Sequence, residues 1–372
     1  MSPSINIAII AGQLVVGGAE RQLFLWLSNL DRSHFNPIVL TLHPGNDDYW
    51  EKPIEQLGIP LFRIAQRRNR WARLKEIIKV IRPFHPNLIH GWHLFASGYA
   101  GLAAKWLDAR CLGGVRNTFE TFSSHRLESK LMLWTADAIV ANSKETAKAI
   151  QESFRRGPEW VFAVQNAIED DFISRSEIRS TLIKTYHLPE DAEWIVSMGR
   201  FEPLKKFDWL IEVTAALQKI GKRVHLVLIG DGQELGYLKK TASSRDVLAD
   251  ITFTGEIPMA SRWLKAFDIF CFPSLDEGMP NVIMEAAAAG LPIVTWQLPF
   301  YKELLSDNQT ALLVPPSDLS AMRKALGRLI DNPDLRKKIG TTAQAQILEN
   351  FSLSRYIIKM TTVYETVLNN RL

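Results

Sequence analysis

The sequence predicts an α/β protein made of two doubly wound, Rossmann-like parallel-sheet domains with a cleft between them. Three observations predict it. Short apolar runs alternate with amphipathic helical stretches along the whole chain, as parallel strands joined by crossover helices require. The alternation breaks once, in the polar, strand-poor stretch 169–193, and then restarts on the same plan. The chain has 372 residues, 47% of them hydrophobic, which is enough for two separate cores.

In the first half the strands fall at Ile5–Ile10, Pro37–Leu42, Asn87–His90, Ala138–Ala141 and Val161–Val164. Each is a short apolar-rich run, the mark of a strand buried on both faces. Helical spacing appears around Glu20–Leu30, Arg73–Ile81 and Gly98–Leu107. The second half places strands at Trp194–Met198, Val224–Ile229, Ile251–Thr254, Ile269–Phe272, Pro292–Thr295 and Ala311–Val314. Its helices are Phe207–Ile220, Gln233–Ser243, Met259–Ala266, Val282–Ala289 and Ser320–Ile330. The domains expected are therefore 1–170 and 171–350, with 351–372 as one long helix after the second sheet closes. Open parallel sheets bind ligands at the carboxyl ends of their strands, so two that face each other suit chemistry on two substrates.

Charged residues make up 23% of the chain, the balance of an ordinary soluble protein. No run reaches the roughly 18–20 apolar residues of a membrane span, and the first strand lacks the basic flank of a signal peptide. Cys111 and Cys271 have neither metal-type nor disulfide-framework spacing and fit a reducing cytoplasm. Net charge is only +4, yet Arg63, Arg67, Arg68, Arg70, Arg73, Lys75, Lys79 and Arg82 face a single acid, Glu76. With Trp71, Leu74, Ile77, Ile78 and Ile81 interleaved, the stretch is amphipathic. It reads either as a solvated helix face or as a surface for anionic lipid or an anionic acceptor. No nucleic-acid motif accompanies the charge. The expected location is cytoplasmic, with peripheral contact at the inner face of the membrane through Arg63–Arg82.

The segment most suited to chemistry runs from Phe272 to Ala286. After the buried strand Ile269–Phe272 comes the loop Pro273-Ser274-Leu275-Asp276-Glu277, which turns through Gly278-Met279-Pro280 before a helix starts near Asn281-Val282. A helix start after a glycine turn offers backbone N–H groups and a positive dipole end to an anion. Glu277 lies in the loop and Glu285 one turn into the helix, so two carboxylates could each hold a pair of sugar hydroxyls. Glu285 could equally be a surface acid. Arg200 and Lys205, in Gly199-Arg200-Phe201-Glu202-Pro203-Leu204-Lys205, follow another strand and can neutralise a diphosphate, although a solvated loop is the default reading. Gly17 and Gly18 open a helix in Val15-Val16-Gly17-Gly18-Ala19-Glu20-Arg21 and permit close backbone approach to a phosphate or sugar. The absence of Gly-x-Gly-x-x-Gly leaves nicotinamide binding poorly supported. Gly230-Asp231-Gly232 also follows a strand, where a simple βα turn explains it as well.

Together these segments resemble the retaining GT-B glycosyltransferases of family 4, in order and spacing over nearly the whole chain. Ala141-Asn142-Ser143 and Asn166-Ala167-Ile168-Glu169 resemble further family segments. The resemblance implies a GT-B fold whose final helix crosses back to the first domain. It also implies a nucleotide-diphosphate sugar, UDP- or GDP-linked, as donor, with no cofactor and no required metal. Arg200 and Lys205 would bind the diphosphate, with Gly17 and Gly18 near the donor phosphates or acceptor. Glu277 and the amides of Gly278 to Asn281 would hold the transferred sugar and distal phosphate, and Glu285 the ribose, with Met279, Pro280 and Val282 counted in the same donor-binding segment. Lys206 departs from the family, which usually has glycine there. In His90-Gly91-Trp92-His93-Leu94-Phe95 the family histidine is matched by His93, with His90 as second choice, although some alignments would place Phe95 there. His93 would act near the reacting sugar, or be a half-buried strand-end histidine. His90, Trp92, Arg116, Asn117 and His125 are acceptor-side candidates, and Glu303 is open between binding and structure.

The chemistry implied is retaining transfer. Diphosphate leaves, the acceptor attacks from the same face, and a diphosphate oxygen takes its proton, with no protein nucleophile nominated. Two rivals are a nucleotide-sugar epimerase and a non-catalytic sugar-nucleotide-binding protein. The expected acceptor is a glycan or lipid-linked saccharide in cell-surface polysaccharide or lipopolysaccharide synthesis.

Overall fold

The computed structural model describes residues 4–45, 48–65 and 69–369, apart from the side chain of Arg126. Arg67 and Arg68 of the basic segment lie outside the described residues. The chain forms two compact units, Met1–Ala167 with Leu353–Leu372, and Ile168–Ser352.

In chain order the first unit holds β1 (Ile5–Ala11), α1 (Gly18–Ser28), β2 (Phe35–Thr41), α2 (Glu51–Gln56), β3 (Leu61–Arg63), α3 (Arg70–Ile81) and β4 (Leu88–Gly91). It continues with α4 (Leu94–Leu107), β5 (Arg110–Val115), α5 (Phe119–Ser124), α6 (Arg126–Thr135), β6 (Ala138–Ala141), α7 (Lys144–Phe154) and β7 (Val161–Ala163). All strands are parallel, in the order β3-β2-β1-β4-β5-β6-β7. From β1 the chain builds toward one edge, then returns to β4 and builds toward the other. The strand order thus reverses between β1 and β4.

The second unit repeats this plan. It holds α8 (Arg175–Tyr186), β8 (Glu193–Met198), α9 (Phe207–Gln218), β9 (Val224–Ile229), α10 (Leu235–Ser244) and β10 (Ile251–Phe253). Then come β11 (Ile269–Phe272), α11 (Asn281–Ala288), β12 (Ile293–Trp296), β13 (Leu312–Val314), α12 (Leu319–Ile330) and α13 (Pro333–Asn350). Its parallel sheet has the order β10-β9-β8-β11-β12-β13, reversing between β8 and β11.

The last helix, α14 (Leu353–Asn369), belongs to the first unit and buries Tyr356, Met360, Val363, Tyr364 and Val367 along one stripe. Its Tyr364 ring meets Trp26 of α1 edge-on at 5.1 Å, and the Trp26 indole N–H donates to the Tyr364 hydroxyl (3.2 Å). Gln22 of α1 fixes the end of the unit by bonding both the carbonyl and the N–H of Ala167, each at 2.8 Å.

The structure departs from the sequence expectation in several places. The strand β5, absent from that expectation, carries Gly113 and Gly114. A Cβ on Gly114 would lie 2.5 Å from the Gly91 carbonyl oxygen, and one on Gly113 2.7 Å from Met132 Sδ, so close packing demands the glycines. Residues 260–266 form a 3-10 helix in place of an α-helix. In α3 the apolar stripe Leu74, Ile77, Ile78 and Ile81 is buried in the core, leaving only Trp71 of that set outside. Arg63 is held by Glu51 and Glu55, and Arg73 is buried. The basic segment is therefore a core helix with a charged outer face. It is not a helix free to lie in a bilayer.

Candidate functional site

Each unit gathers a cluster of the sequence-nominated residues where its strand order reverses. Loops leaving adjacent strands on opposite sides of that point splay apart and open a crevice at the carboxyl edge of the sheet.

In the second unit the loops after β8 and β11 meet. The Leu275 N–H donates to the Leu204 carbonyl (3.0 Å), zipping one loop to the other. Beside it the Lys205 ammonium donates to the Glu277 carboxylate, with the two side chains only 20% and 14% exposed. Lys205 also sits 5.7 Å from the centre of the Phe272 ring. The following helix, α11, starts after Pro280 without a side-chain cap. Its first-turn dipole end is therefore left to the backbone and to whatever lies beyond it. Gly278, Asn281 and Val282 are half-buried, and Met279 and Pro280 are buried. Glu285 is only 7% exposed, so the surface-acid reading fails. Arg200 is not part of the pair. It is 77% exposed and reaches Glu202 at 3.2 Å.

The acidic loop is held from behind by a run of bonds the sequence did not disclose. Three consecutive carbonyls accept side-chain donors: Phe272 from the Thr295 hydroxyl (2.6 Å), Pro273 from the Trp296 indole (2.7 Å) and Ser274 from the Tyr301 hydroxyl (3.3 Å). Tyr301 is fully buried, and burial, then the Glu277 charge, hold its phenol well above its ordinary pKa, so it remains a donor. On the β9 side, Gly230 and Gly232 take positive φ (144° and 154°). A Cβ on Gly230 would stand 2.0 Å from the Gly199 carbonyl oxygen, and one on Gly232 2.6 Å from that of Phe201. These glycines set the approach of the Arg200 loop, which a generic βα turn does not require.

In the first unit the crevice lies between β1 and β4. Gly17 caps α1, and Gly18 is its first residue. A Cβ on Gly17 would fall 2.2 Å from a Glu20 carboxylate oxygen, so that carboxylate is folded back over the helix start. The other Glu20 oxygen lies 3.2 Å from His93 Nε2. His93 caps α4, and its carbonyl accepts the Ser97 N–H (2.9 Å) and hydroxyl (2.8 Å). Its ring is 26% exposed, with Nδ1 buried and without a hydrogen-bond partner. The sequence reading passed over Glu20, although it sits two residues beyond the glycine pair.

The acceptor-side candidates divide. His90 is fully buried, its Nδ1 2.7 Å from the Tyr364 hydroxyl. That hydroxyl also accepts the Trp26 indole N–H. Burial, then the Arg116 charge, drive the pKa of His90 well below the usual histidine value, and the ring is neutral. Trp92 is buried under Arg116, whose guanidinium lies 3.6 Å from its ring centre, and its indole donates to the Ala19 carbonyl (2.8 Å). Arg116 also donates to the Trp92 carbonyl (3.2 Å) and bonds Tyr356. His90 and Trp92 thus sit in the packing of α1 and α14, with the half-buried Arg116 against them. Asn117 and His125 are exposed, with His125 Nδ1 2.8 Å from the Thr121 carbonyl. Among the described residues no three His, Cys, Asp or Glu side chains gather as metal ligands, and no helix is long and apolar enough to cross a membrane.

Two Rossmann-like parallel-sheet units, each carrying such a cluster at its reversal point, define a GT-B protein. The chain belongs to the family 4 glycosyltransferases: residues 16–172 match Glycosyltransferase Family 4 and residues 179–346 match Glycosyl transferases group 1. It is 31% identical to the lipopolysaccharide core biosynthesis glycosyltransferase LpsE of Rhizobium meliloti over 342 residues, 90% of this chain and 92% of that one. Identity to LpsD of the same organism, named for the same process, is 25% over 340 residues, covering 90% and 91%. Among solved structures it resembles Anabaena Alr3699/HepE in complex with UDP and glucose, with a TM-score of 0.86 and 18% identity over 97% of this chain and 100% of that chain. At that identity the likeness shows the fold.

Proposed function

We propose that this glycosyltransferase moves a sugar, with retention, from a UDP- or GDP-linked donor to a glycan or lipid-linked saccharide in cell-surface polysaccharide or lipopolysaccharide synthesis. We assign it to the cytoplasm, at the inner face of the membrane. The observation that carries the reading is the Lys205–Glu277 pair at the reversal point of the second sheet, beside the uncapped start of α11. A cation and a carboxylate held side by side suit a sugar diphosphate, the ammonium facing phosphate and the carboxylate facing sugar hydroxyls. Glu285, largely buried on the same helix, takes the ribose, and the exposed Arg200 swings onto the diphosphate. The complexes of HepE with UDP and with glucose, and the names of LpsE and LpsD, support the donor and the process.

In the step itself the bond between the anomeric carbon and the diphosphate breaks, with its electron pair leaving on the diphosphate. The acceptor oxygen bonds to the same face, and its proton passes to the departing diphosphate oxygen. Lys205 and the dipole of α11 stabilise that charge without a metal. Glu277, engaged by Lys205, serves as a hydroxyl acceptor and not as the nucleophile of a double displacement. We assign His93, paired with Glu20, to sugar binding from the first unit.

The test is release of nucleoside diphosphate from a panel of UDP- and GDP-sugars, with and without lipid-linked saccharides and with and without EDTA. Product anomeric configuration is read by NMR. Acceptor-dependent release that survives EDTA, with an α-linked product from an α-linked donor, is expected. Glu277→Gln lowers turnover roughly 10- to 100-fold, as the loss of a charged hydrogen bond predicts. Donor binding without release across the panel would overturn the reading in favour of a sugar-nucleotide-binding protein.

A further inference from the structure

Asp137 immediately precedes β6 and Trp160 immediately precedes β7, so both stand at the amino ends of the first sheet, the edge opposite the Gly17–His93 crevice. There α6, the α7–β7 turn and α14 enclose a cavity of about 220 Å³. None of the residues nominated from the sequence lines it.

The turn that shapes the cavity starts where α7 ends, with Arg155 in the left-handed region at φ 50°. The Trp160 N–H then donates to the Gly157 carbonyl (3.1 Å), and the closed turn brings Arg156, Glu159 and Trp160 to the cavity wall. A Cβ on Gly157 would fall 2.0 Å from a Glu159 carboxylate oxygen, so that acid folds back over the turn. Trp134, near the end of α6, also lines the cavity while 73% exposed, which puts its indole at the mouth. Trp160 is only 7% exposed, and its indole N–H has no acceptor among the described residues. A buried indole N–H ordinarily finds one. The Arg156 guanidinium lies 4.7 Å from the Trp160 ring centre. Among the described residues neither that guanidinium nor the Glu159 carboxylate forms an ion pair or a hydrogen bond. Asp137, by contrast, is satisfied by Arg110 (2.9 Å) and the Cys111 N–H (2.8 Å).

From this we infer that the cavity binds one neutral sugar unit, packed against the two indoles and hydrogen-bonded by Arg156, Glu159 and the Trp160 N–H. Charge decides against an ion: Arg156 offsets Glu159 and Arg110 offsets Asp137, so neither an anion nor a cation finds a matching field. Sugar hydroxyls both donate to a carboxylate and accept from a guanidinium or an indole N–H, which is the set of partners left open here. The C–H face of a sugar ring gains by covering indole surface otherwise open to water. Size decides against the donor. The space of about seven waters, below the roughly 300 Å³ at which drug-sized sites begin, admits a single sugar ring and excludes a nucleotide sugar. The cavity thus gives the enzyme a second hold on a glycan, on the sheet edge away from the reaction. It rests on the reading of a glycan acceptor for purpose alone, since the binding itself is measured without donor or transfer.

The full chain, without donor, is titrated with the methyl α-pyranosides of glucose, galactose and mannose and with N-acetylglucosamine, and binding is read by saturation-transfer NMR. Saturation of the ring protons of at least one of them is expected. Trp134→Ala and Glu159→Gln should each weaken that binding about fivefold or more. Trp160→Phe, which keeps a ring and removes the N–H, should do the same. Glu277→Gln, in the second unit, should leave it unchanged. Thermal melting checks that the variants fold, and the exposed Trp134 and Glu159 carry the test if Trp160→Phe does not. No saturation of any of the sugars overturns the inference, as does binding that the cavity variants leave intact or that Glu277→Gln removes. Sugar binding here without nucleoside-diphosphate release in the transfer assay would instead strike the proposed reaction and leave this cavity standing as a site.

Discussion

Lys205 and Glu277 face each other with both side chains largely buried, and this alone limits what the pair does for stability. Desolvating two charges costs about as much as their attraction returns, so a matched pair is near neutral, whereas one left alone is costly. Lys205→Met therefore strands the Glu277 carboxylate and should cost on the order of 3 kcal/mol, while Lys205→Met with Glu277→Leu recovers much of it without recovering transfer. Denaturant titration of both variants checks this, and equal losses in the two would mean the pair is not electrostatically coupled. Beside them Lys206 stands where the family usually carries glycine, and it takes a left-handed conformation at φ 54°. Such a conformation costs a residue with a Cβ roughly 1–2 kcal/mol, partly offset by the greater freedom glycine has when unfolded. Lys206→Gly should thus raise stability by up to about 1 kcal/mol. A loss instead would give the weight to the Lys206 ammonium over Trp209, 5.4 Å from its ring centre.

At the scale of elements, the loop after β11 owes its shape to β12 and the turn that follows it. Tyr301→Phe removes the donor to the Ser274 carbonyl and leaves a buried acceptor unpaired, a loss of about 1–2 kcal/mol. Because that carbonyl lies three residues before Glu277, the variant should also raise the donor KM and lower kcat several-fold. A purely structural tyrosine would lower the melting temperature and leave both kinetic constants unchanged. The glycines offer a sharper contrast. Gly230→Ala, driven against the Gly199 carbonyl at a φ no alanine favours, should cost about 3 kcal/mol. Gly236→Ala in α10, with open space around it, should be neutral or gain up to about 1 kcal/mol. This scale also marks what could be read from the sequence. Apolar runs such as Val224–Ile229 and Ile269–Phe272 gave their strands directly, because a strand buried on both faces has no polar alternation to confuse it. By contrast β5 was hidden by Gly113 and Gly114, whose lack of side chains serves packing that only the fold reveals. Glu277 and Glu285 were legible because a turn and a helix start announce themselves locally. Thr295, Trp296 and Tyr301 were not, because each acts on a carbonyl 23 to 27 residues away.

At the scale of the molecule, α14 is bound to the first unit through Tyr364, Tyr356 and the groups beneath them, and this joins stability to pH. His90 is buried and neutral, with its Nδ1 bonded to the Tyr364 hydroxyl and its Nε2 buried without a partner. His43 and His225 are also lowered, chiefly by burial, the first further by the charge of Arg73 and the second in spite of Asp250. In each case the folded-state pKa lies below the unfolded one, so below about pH 6.5 the unfolded chain takes up protons that the folded chain refuses. The stability so conferred is complete above that pH and is lost as pH falls toward each folded pKa. For His90, driven furthest down, the loss continues at about 1.4 kcal/mol per pH unit. Two of the three histidines lie in the first unit, whose melting temperature should therefore fall further than that of the second as pH drops from 7 toward 5. His90→Phe keeps a ring against Trp92 and Tyr364 but cannot bind a proton. It should lower stability at pH 7, where the Tyr364 hydroxyl loses its hydrogen bond to the imidazole, and flatten the acid slope of the first transition. Calorimetric scans across this range decide the matter, since a slope unchanged in His90→Phe would place the acid sensitivity at other groups.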